Sequence, residues 1–509
     1  MTSAFRLRAA AALGRSRVRA NIRSAMDGLQ QKRSAAFPDR DELERLRDQA
    51  AAIRDDALSR LPVLLEQLEA RCTENGIQVH WAEDADEANR LIIDLLEQRD
   101  ADALLKGKSM VSEETGLNAA LMQAAIEPVE TDLGELIIQL AGDHPSHIVA
   151  PAVHKDRHEV AELFAEKLDD AVEADSGAAA SDPEHPGDTS EAAQADLRMA
   201  EIERLTAQAR TVMRARFKRV RAGLSGVNFA VAETGTLCLV ENEGNGRMST
   251  TAPDLHIAVM GIEKVIPRLE QVAPLLTLLT RSATGQAVTT YVNMISGPRR
   301  PGERDGPHEV HLVLLDNGRS RIDRDPELRA TLRCIRCGAC MNHCPVYIRI
   351  GGHGYGTVYP GPIGAILEPQ LQGLDACGEL AEASTFCGAC AEVCPVRIPI
   401  PRLLNRLRHE RAEGSAVPGS SRPGMQRWMW QGWAFVHRVP GRYRLLRQLA
   451  QGLLRPFADN LPFGAWTRSR SAPRIAPTSL HQLARQAGFA ASASDSKARP
   501  APSDGARSN

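Results

Sequence analysis

The sequence lacks any long apolar run. No uncharged apolar stretch in its 509 residues approaches the ~20 residues that a membrane-spanning helix needs, so we expect no transmembrane segment. Its first residues contain no continuous apolar stretch of the kind found in secretory signals. The formal net charge is -2, which gives no electrostatic reason to expect nucleic-acid binding. These absences predict a cytoplasmic protein that binds no nucleic acid.

Cysteine is scarce over most of the chain. Eight of the ten cysteines lie between residues 334 and 394, and only Cys72 and Cys238 lie outside that segment. Grouping of this kind is typical of metal ligands, whereas structural disulfides are usually spread over a fold. We therefore predict a metal site in a reducing compartment, and we interpret Cys72 and Cys238 as small buried apolar residues.

Large apolar residues are nearly absent from residues 173–197. The Ala, Ser, Asp, Gly and Pro of this segment cannot bury enough surface to order it, and the whole chain is too long for one ordinary core. The predicted regions are a helical N-terminal segment (1–72), an α/β domain (73–322) with a flexible insertion (173–197), a cysteine-rich domain (323–412), a basic aromatic segment (413–466) and a disordered tail (467–509).

Short strand patterns alternate with helical patterns within residues 73–322. Strands are predicted, for example, at QVHWA (78–82), ALLKGKS (103–109) and HIVAPAV (147–153), with amphipathic helices between them. Alternation of this kind predicts an α/β layer with a largely parallel sheet.

Seven cysteines form two related motifs. CIRCGACMNHCPVY (334–347) has the spacing C-x2-C-x2-C-x3-C-P, and FCGACAEVCPVRIP (386–399) repeats it without the first cysteine. In bacterial ferredoxins the first three cysteines of such a run bind one cluster and the fourth binds the other. The spacing therefore predicts two [4Fe–4S] clusters. The predicted ligands are Cys334, Cys337, Cys340 and Cys394 for the first cluster, and Cys344, Cys387 and Cys390 for the second.

Zinc is the alternative metal for paired C-x2-C motifs. Zinc sites seldom place three such cysteines in succession and lend a fourth to a neighbouring site. The small residues inside the motifs also suit a bulky cluster close to the backbone, so we favour iron–sulfur. We assign no ligand role to His343 or His353, which lie near the motifs.

The second cluster lacks an eighth cysteine, because Ser384 stands where the repeat predicts one. Cys377 lies ten residues before Cys387, and the intervening loop is long enough for it to supply the thiolate. The Ser384 hydroxyl is a second, chemically harder candidate. The third alternative is an iron with no protein ligand, or a [3Fe–4S] cluster.

Longer stretches of the sequence resemble the lactate utilisation protein B family, over residues 40–460 apart from the insertion. The resemblance rests on the two cysteine motifs and on five further stretches. These are GGHGYGTVYPGPIGAIL (351–367), KGKSMVSEETGLNAAL (106–121), VETDLGELIIQLAGDHPSHIVAPAVHK (129–155), SGVNFAVAETGTLCLVENEGNGR (225–247) and PDLHIAVMGIEKVIP (253–267).

The resemblance implies an α/β fold. An N-terminal LUD domain, with layers like those of sugar isomerases and CoA transferases, is followed by a mainly helical ferredoxin-type dicluster domain. It also implies a cytoplasmic complex with two other lactate-utilisation subunits, which oxidises L-lactate to pyruvate and passes electrons to a downstream acceptor. The seven cysteines match the family's cluster positions. The family lacks the eighth cysteine and has none at the position of Cys377, which favours the open-iron or three-iron alternative.

Turns after predicted strands offer candidate anion or substrate sites. Gly244 and Gly246 let backbone N–H groups approach an anion beside Arg247, and Glu233 matches an acidic position of the family that the sequence resembles. Turn geometry alone is the simpler interpretation of these residues.

Two further groups of residues invite a binding role. Lys106 and Lys108 form a second anion-friendly turn ahead of a predicted helix. His144 and His147 suggest a metal site, but a surface loop explains them more simply.

Residues 422–456 contain seven arginines, no acidic residue and three tryptophans. Such a segment suits either docking of a partner subunit or contact with an anionic membrane surface. We favour docking, because the family that the sequence resembles works as a complex.

The sequence contains no defensible dinucleotide-binding or flavin motif. We therefore predict an electron-transfer component of an L-lactate oxidoreductase complex rather than a complete enzyme. Two alternatives stay open: the same architecture acting on another 2-hydroxy acid such as glycolate, and a non-catalytic iron–sulfur redox sensor or scaffold.

Overall fold

The computed structural model describes residues 4–168, 191–413, 424–454, 478 and 480–488. The chain divides into two compact units, Met1–Val417 and Pro418–Asn509. Most of the predicted insertion lies outside the described residues, but a helix already begins at Glu191, inside its predicted limits. Most of the predicted tail also lies outside them.

Four helices open the first unit, in the region where apolar residues recur at helical spacing. Asp39 caps the third helix, because its carboxylate accepts hydrogen bonds from the N–H groups of Asp41 and Glu42 at 2.9 and 3.1 Å. The fourth helix has Pro62 in its first turn, where the missing N–H costs nothing. They are α1 (Ala4–Gly14), α2 (Ser16–Ala36), α3 (Arg40–Ser59) and α4 (Leu61–Glu74).

Ten strands of the described residues form two sheets. They are β1 (Ile77–Ala82), β2 (Ala103–Lys106), β3 (Glu127–Glu130), β4 (Ala222–Gly226), β5 (Phe229–Val231), β6 (Thr236–Glu241), β7 (Leu255–Gly261), β8 (Val265–Ile266), β9 (Tyr291–Ile295) and β10 (Glu309–Leu315). The larger sheet is entirely parallel, in the order β1-β10-β7-β4-β2-β3. The smaller has the order β8-β5-β6-β9 and is mostly antiparallel. The predicted α/β layer is confirmed.

Helices cover the parallel sheet, and all seven residues of the central strand β7 are buried. Burial on both faces is what parallel sheets require. The helices of this region are α5 (Ala85–Glu97), α6 (Met110–Glu114), α7 (Leu117–Gln123), α8 (Leu133–Leu140), α9 (Arg157–Lys167), α10 (Glu191–Arg219), α11 (Asn245–Thr251), α12 (Val272–Thr284) and α13 (Arg319–Arg324).

The strand predicted at residues 147–153 is wrong, because this segment is a loop of turns and bends. His147 Nδ1 accepts hydrogen bonds from the N–H groups of Val149 and Ala150, both at 3.1 Å. These two N–H groups are therefore not available to pair with a neighbouring strand. Pro151 has no N–H to give, and its carbonyl accepts a hydrogen bond from Ser146 N at 2.9 Å. Local hydrogen bonds therefore replace the strand that the apolar residues suggested.

Short helices make up the cysteine-rich region, and three further helices of the described residues follow in sequence within the second unit. The cysteine-rich region contains α14 (Ala339–Asn342), α15 (Pro345–Ile350), α16 (Gly361–Leu371), α17 (Leu374–Cys377), α18 (Ala389–Glu392) and α19 (Ile400–Glu413). The second unit contains α20 (Gly424–His437) and α21 (Pro440–Leu454), and after them α22 (Leu480–Gln486).

The first helices pack directly on the cysteine-rich region. Ile22 and Met26 of α2 belong to the same hydrophobic core as Tyr347 and Tyr355. Arg47 of α3 donates hydrogen bonds from Nε to the Cys394 carbonyl at 2.9 Å and from Nη2 to the Ala391 carbonyl at 3.1 Å. Gln30 of α2 reaches the Asn342 carbonyl at 2.6 Å. Segments more than 300 residues apart in the chain therefore form one core.

Candidate iron–sulfur site

Each cysteine motif turns through a glycine in the left-handed region. Gly338 has φ 75° and Gly388 has φ 86°, and each precedes a short helix. Left-handed backbone is costly for residues with a Cβ atom, so glycine is favoured at these two turns, although Arg336, Phe386 and Arg397 of the same motifs also adopt it. Backbone N–H groups then point at sulfur: Arg336 N lies 3.4 Å from Cys334 Sγ, and Ile398 N lies 3.3 Å from Cys394 Sγ.

Four thiols meet at the first position, three from the first motif and one from the second. Burial, with smaller contributions from Cys334 and Cys394, raises the pKa of Cys337 to about 12. Burial also raises the pKa of Cys340 well above its usual value, with contributions from Cys334, Cys337, Cys394 and, from the second set, Cys390. Thiols with such pKa values stay protonated unless a metal ion replaces the proton. The structure brings together the predicted first set.

Three thiols meet at the second position. Cys344, Cys387 and Cys390 line one cavity together with Ser384. Burial raises the pKa of Cys390 to about 12, and the thiolates of Cys344 and Cys387 contribute in the same direction. Cys344 belongs to the first motif, so each position borrows one cysteine from the other motif, as the ferredoxin spacing predicts.

Cys377 lies apart from that cavity. Its thiol donates a hydrogen bond to Gln372 Oε1 at 3.4 Å, and burial raises its pKa to about 11. Ser384 does line the cavity, and its Oγ accepts a hydrogen bond from Phe386 N at 3.1 Å. Of the two side chains suggested for the missing ligand, the structure brings only Ser384 to the second set.

Buried cations stand beside the first set. The Arg336 guanidinium lies 4.2 Å from the centre of the Tyr359 ring, and its Nη2 lies 3.6 Å from Glu263 Oε1. Burial lowers the pKa of Lys264 to about 8, and the charge of Arg336 lowers it further. Positive charge close to thiolate ligands favours the more negative, reduced state of a bound cluster.

The two sets differ in their access to solvent. In the second set Cys387 is exposed, and the preceding Phe386 is 40% exposed. In the first set Cys337 and Cys394 are buried, and Cys334 and Cys340 are partly buried. Cys387 is therefore the most solvent-exposed thiol of the two sets, whereas Cys344 and Cys390 are buried.

The predicted anion turn is already occupied by the chain itself. The N–H groups of Gly246 and Arg247 both donate to the Glu241 carboxylate at 2.6 Å. Glu233 accepts a hydrogen bond from Leu269 N at 3.0 Å and so fixes a turn. The structure leaves no free N–H pair for an external anion at Gly246 and Arg247. Glu241 is the residue that sequence reasoning missed, because nothing in the pattern distinguishes it from a surface acid.

The two lysines of the second predicted anion turn also have partners within the fold. Lys106 Nζ is buried and lies 2.6 Å from both Glu130 Oε1 and Asn118 Oδ1. Lys108 Nζ donates to the Val149 carbonyl at 2.6 Å.

The surface-loop interpretation of the two histidines is right for His144 and wrong for His147. His144 is exposed, whereas His147 is 1% exposed. The Nε2 of His147 shares a hydrogen bond with Asn342 Oδ1 at 2.8 Å, which ties the α/β domain to the first cysteine motif. Burial lowers the pKa of His147 to about 4, so the ring is neutral at pH 7.

Comparison with known proteins identifies three segments. Residues 65–315 match the LUD domain, residues 330–398 match the 4Fe-4S dicluster domain, and residues 406–489 match the C-terminal region of lactate utilisation protein B. The fold and the two cysteine sets thus define a LUD domain joined to a 4Fe-4S dicluster domain. No helix of the described residues is long and apolar enough to cross a membrane.

Relatives match nearly the whole chain. An uncharacterised electron transport protein, YkgF of Escherichia coli, is 42% identical and covers 84% of this chain and 85% of its own. Lactate utilization protein B of Bacillus licheniformis is 38% identical, covering 93% and 94%, and that of Exiguobacterium sp. is 41% identical, covering 90% and 92%. This chain belongs to the lactate utilisation protein B family.

Proposed function

We propose that this protein is the iron–sulfur electron-transfer subunit of a complex that oxidises L-lactate to pyruvate. The observation that carries the proposal is the pairing of two cysteine sets, each holding one thiol from the other's motif. The electron-transport and lactate-utilization names of the relatives support the same role and favour lactate over glycolate. A cytoplasmic location fits this role and stays a prediction.

The residues suit the proposed cofactors. Thiolate ligands, left-handed glycines and N–H groups directed at sulfur are what an iron–sulfur cluster requires. Bound clusters supply one-electron transfer, and lactate oxidation releases two electrons and two protons. The four thiols of Cys334, Cys337, Cys340 and Cys394 would hold a [4Fe–4S] cluster. The three thiols of Cys344, Cys387 and Cys390 would hold a second cluster with one iron lacking a cysteine, or a [3Fe–4S] cluster.

Other proteins are part of the proposal. The sequence has no dinucleotide-binding or flavin motif, so we place C–H cleavage at a site that this chain shares with the two other lactate-utilisation subunits. A downstream acceptor then removes the electrons. The basic, tryptophan-bearing helix α20 is the proposed docking element for a partner subunit.

The test uses the full complex, purified without air. Addition of L-lactate should produce the EPR signal of reduced clusters, and glycolate should produce less. Cys337→Ala should abolish the signal of the first cluster. Cys238→Ala is the matched control, because Cys238 is equally buried but lies in strand β6, away from both sets. A complex that stays EPR-silent with lactate while dithionite reduces it would favour the sensor or scaffold alternative.

A further inference from the structure

Three side chains outside the cysteine sets converge where the LUD domain meets the cysteine-rich region. Asp143 and His154 belong to the loop region between α8 and α9, and His353 follows α15. His154 Nε2 lies 3.1 Å from Asp143 Oδ2, and His353 Nε2 lies 3.6 Å from Asp143 Oδ1. One ligand atom from each of the three residues lies within 4.8 Å of the others. Among the described residues, no other three histidine, cysteine or acidic side chains place their ligand atoms this close together.

The backbone holds these two segments together independently of the three side chains. Ser146 accepts two hydrogen bonds from the other segment, from Tyr347 Oη to its carbonyl at 2.7 Å and from Gly352 N to its Oγ at 3.2 Å. A Cβ atom at Gly352 would collide with the Ser146 carbonyl, so glycine is required for this close approach. The neighbour of Gly352 is His353, which is therefore placed against Asp143 by the fold.

The separations between the three side chains suit a shared metal ion. His154 Nε2 lies 3.1 Å from one oxygen of Asp143, and His353 Nε2 lies 3.6 Å from the other. Neighbouring corners of a shell whose bonds are about 2.1 Å long are separated by similar distances. His353 Nε2 also donates a hydrogen bond to the His144 carbonyl at 2.7 Å, so an ion bound at this nitrogen must replace that proton.

We propose that Asp143, His154 and His353 bind a divalent transition-metal ion such as Zn²⁺ or Fe²⁺. Two imidazoles and one carboxylate are the ligand set of open mononuclear sites, in which the remaining positions are left for water or for an oxygen ligand. Asp143 and His353 are partly exposed, with 32% and 29% of their side chains accessible, so the ion has a route from solvent. The site is separate from both cysteine sets and does not depend on the lactate proposal.

Two neighbouring groups set the expected strength of binding. His154 Nδ1 is buried and has no hydrogen-bond partner among the described residues. Metal-binding imidazoles usually donate from their second nitrogen, and loss of that bond typically weakens binding by about 10- to 100-fold. The Lys155 ammonium also lies 3.9 Å from Asp143 Oδ2 and competes with the ion. We therefore expect a weaker site than a closed structural zinc site.

The experiment measures Zn²⁺ uptake by the full chain with its iron–sulfur clusters in place, so that the cluster thiols are occupied. Anaerobic protein is titrated against a chromophoric zinc chelator. Wild type should bind one Zn²⁺ per chain in addition to its iron. Asp143→Asn and His353→Gln should each weaken that binding at least tenfold. His144→Gln is the matched control, because His144 is exposed and adjoins Asp143 but is not one of the three ligands.

Two results would overturn the proposal. One is wild-type protein that takes up no more zinc than Asp143→Asn. The other is equal weakening by His144→Gln, which would indicate zinc bound nonspecifically to surface histidines. Visible absorption of the clusters is recorded for every variant, and an unchanged spectrum establishes that a loss of zinc is not a loss of the fold.

Discussion

Ser384 lines the same cavity as Cys344, Cys387 and Cys390, at the position where the repeat would place another cysteine. A hydroxyl is a poor substitute for a thiolate toward iron, since iron–sulfur clusters are held by thiolates. Ser384 therefore offers a hydroxyl, already hydrogen-bonded to Phe386 N, where the repeat would place a thiol. The consequence is a cluster that should lose one iron more easily than its neighbour.

Ser384→Cys should supply the missing thiolate. After mild oxidation, wild-type protein should give the EPR signal of a three-iron cluster, and the variant should not, because its fourth iron is retained. Cys377→Ala serves as the control and should behave like wild type, since its thiol is bonded to Gln372 and lies outside the cavity. Loss of the signal in the Cys377 variant instead would restore that residue as a ligand.

Arg336→Gln should lower the reduction potential of the cluster bound to the first set. The buried guanidinium lies two residues from Cys334 and close to Glu263, so its removal destabilises the reduced state. A shift of tens of millivolts is expected, where about 59 mV corresponds to a tenfold change for one electron. The measurement is an EPR-monitored redox titration. Arg349→Gln, an exposed neighbour in sequence, is the control, and equal shifts in both variants would contradict the argument.

Helices and strands whose apolar residues recur at a regular spacing were predictable from the sequence. Loops and turns that are fixed by particular hydrogen bonds were not. The helices of the first 74 residues and the strands of the parallel sheet follow the apolar pattern. The loop at 147–153 does not follow the apolar pattern, because its backbone N–H groups donate to the ring of His147 and not to a neighbouring strand. The sequence similarly predicts an anion site at the Gly246 turn, because it does not reveal that the Glu241 carboxylate accepts the hydrogen bond from Gly246 N. The two cysteine motifs are visible in the sequence because their spacing is local, whereas the exchange of Cys344 and Cys394 between them rests on the ferredoxin pattern.

Helix α8 carries Glu135, and burial keeps the carboxyl group of this residue protonated at neutral pH. Burial raises the pKa of Glu135 to about 8, far above the value of about 4.3 for an unfolded chain. A raised folded pKa means that the folded state keeps the proton over this range. The stabilising contribution is complete below about pH 4.3 and is lost as the pH rises through about 8.

Glu135→Gln should remove that pH dependence, because an amide does not ionise. Between pH 6 and pH 8 the wild type should lose stability relative to the variant, by up to about 1.4 kcal/mol per pH unit. Urea unfolding of anaerobic protein at several pH values measures the difference. Glu66→Gln on the exposed side of α4 should leave the slope unchanged. Parallel stability curves for wild type and Glu135→Gln would refute the assignment.

At the scale of the whole molecule, helix α20 of the second unit carries three exposed tryptophan side chains. Trp428, Trp430 and Trp433 of α20 are 76%, 50% and 55% exposed. Large aromatic side chains of this kind dominate the energetics of protein interfaces. These residues suit either docking or contact with an anionic membrane, and we favour docking because the family that the sequence resembles works as a complex.

Replacing Trp428 and Trp430 by alanine should weaken binding of the other subunits by roughly 30-fold, which corresponds to about 2 kcal/mol for an interface hot spot. The measurement is the dissociation constant by calorimetry, with cluster absorption as the check on folding. Trp81→Ala is the matched control, since Trp81 is 45% exposed but belongs to β1. Undiminished subunit binding combined with lost binding to anionic vesicles would favour the membrane alternative.

The hydrogen bonds from Gln30 and Arg47 to the cysteine motifs impose an order on biogenesis. Helices α2 and α3 donate these hydrogen bonds to backbone carbonyls of motifs that lie more than 300 residues later in the chain. We therefore expect iron to be delivered before helices α2 and α3 pack on the cysteine motifs. Resistance of the first sixty residues to a protease should accordingly arise together with the brown colour of the maturing protein, as one event.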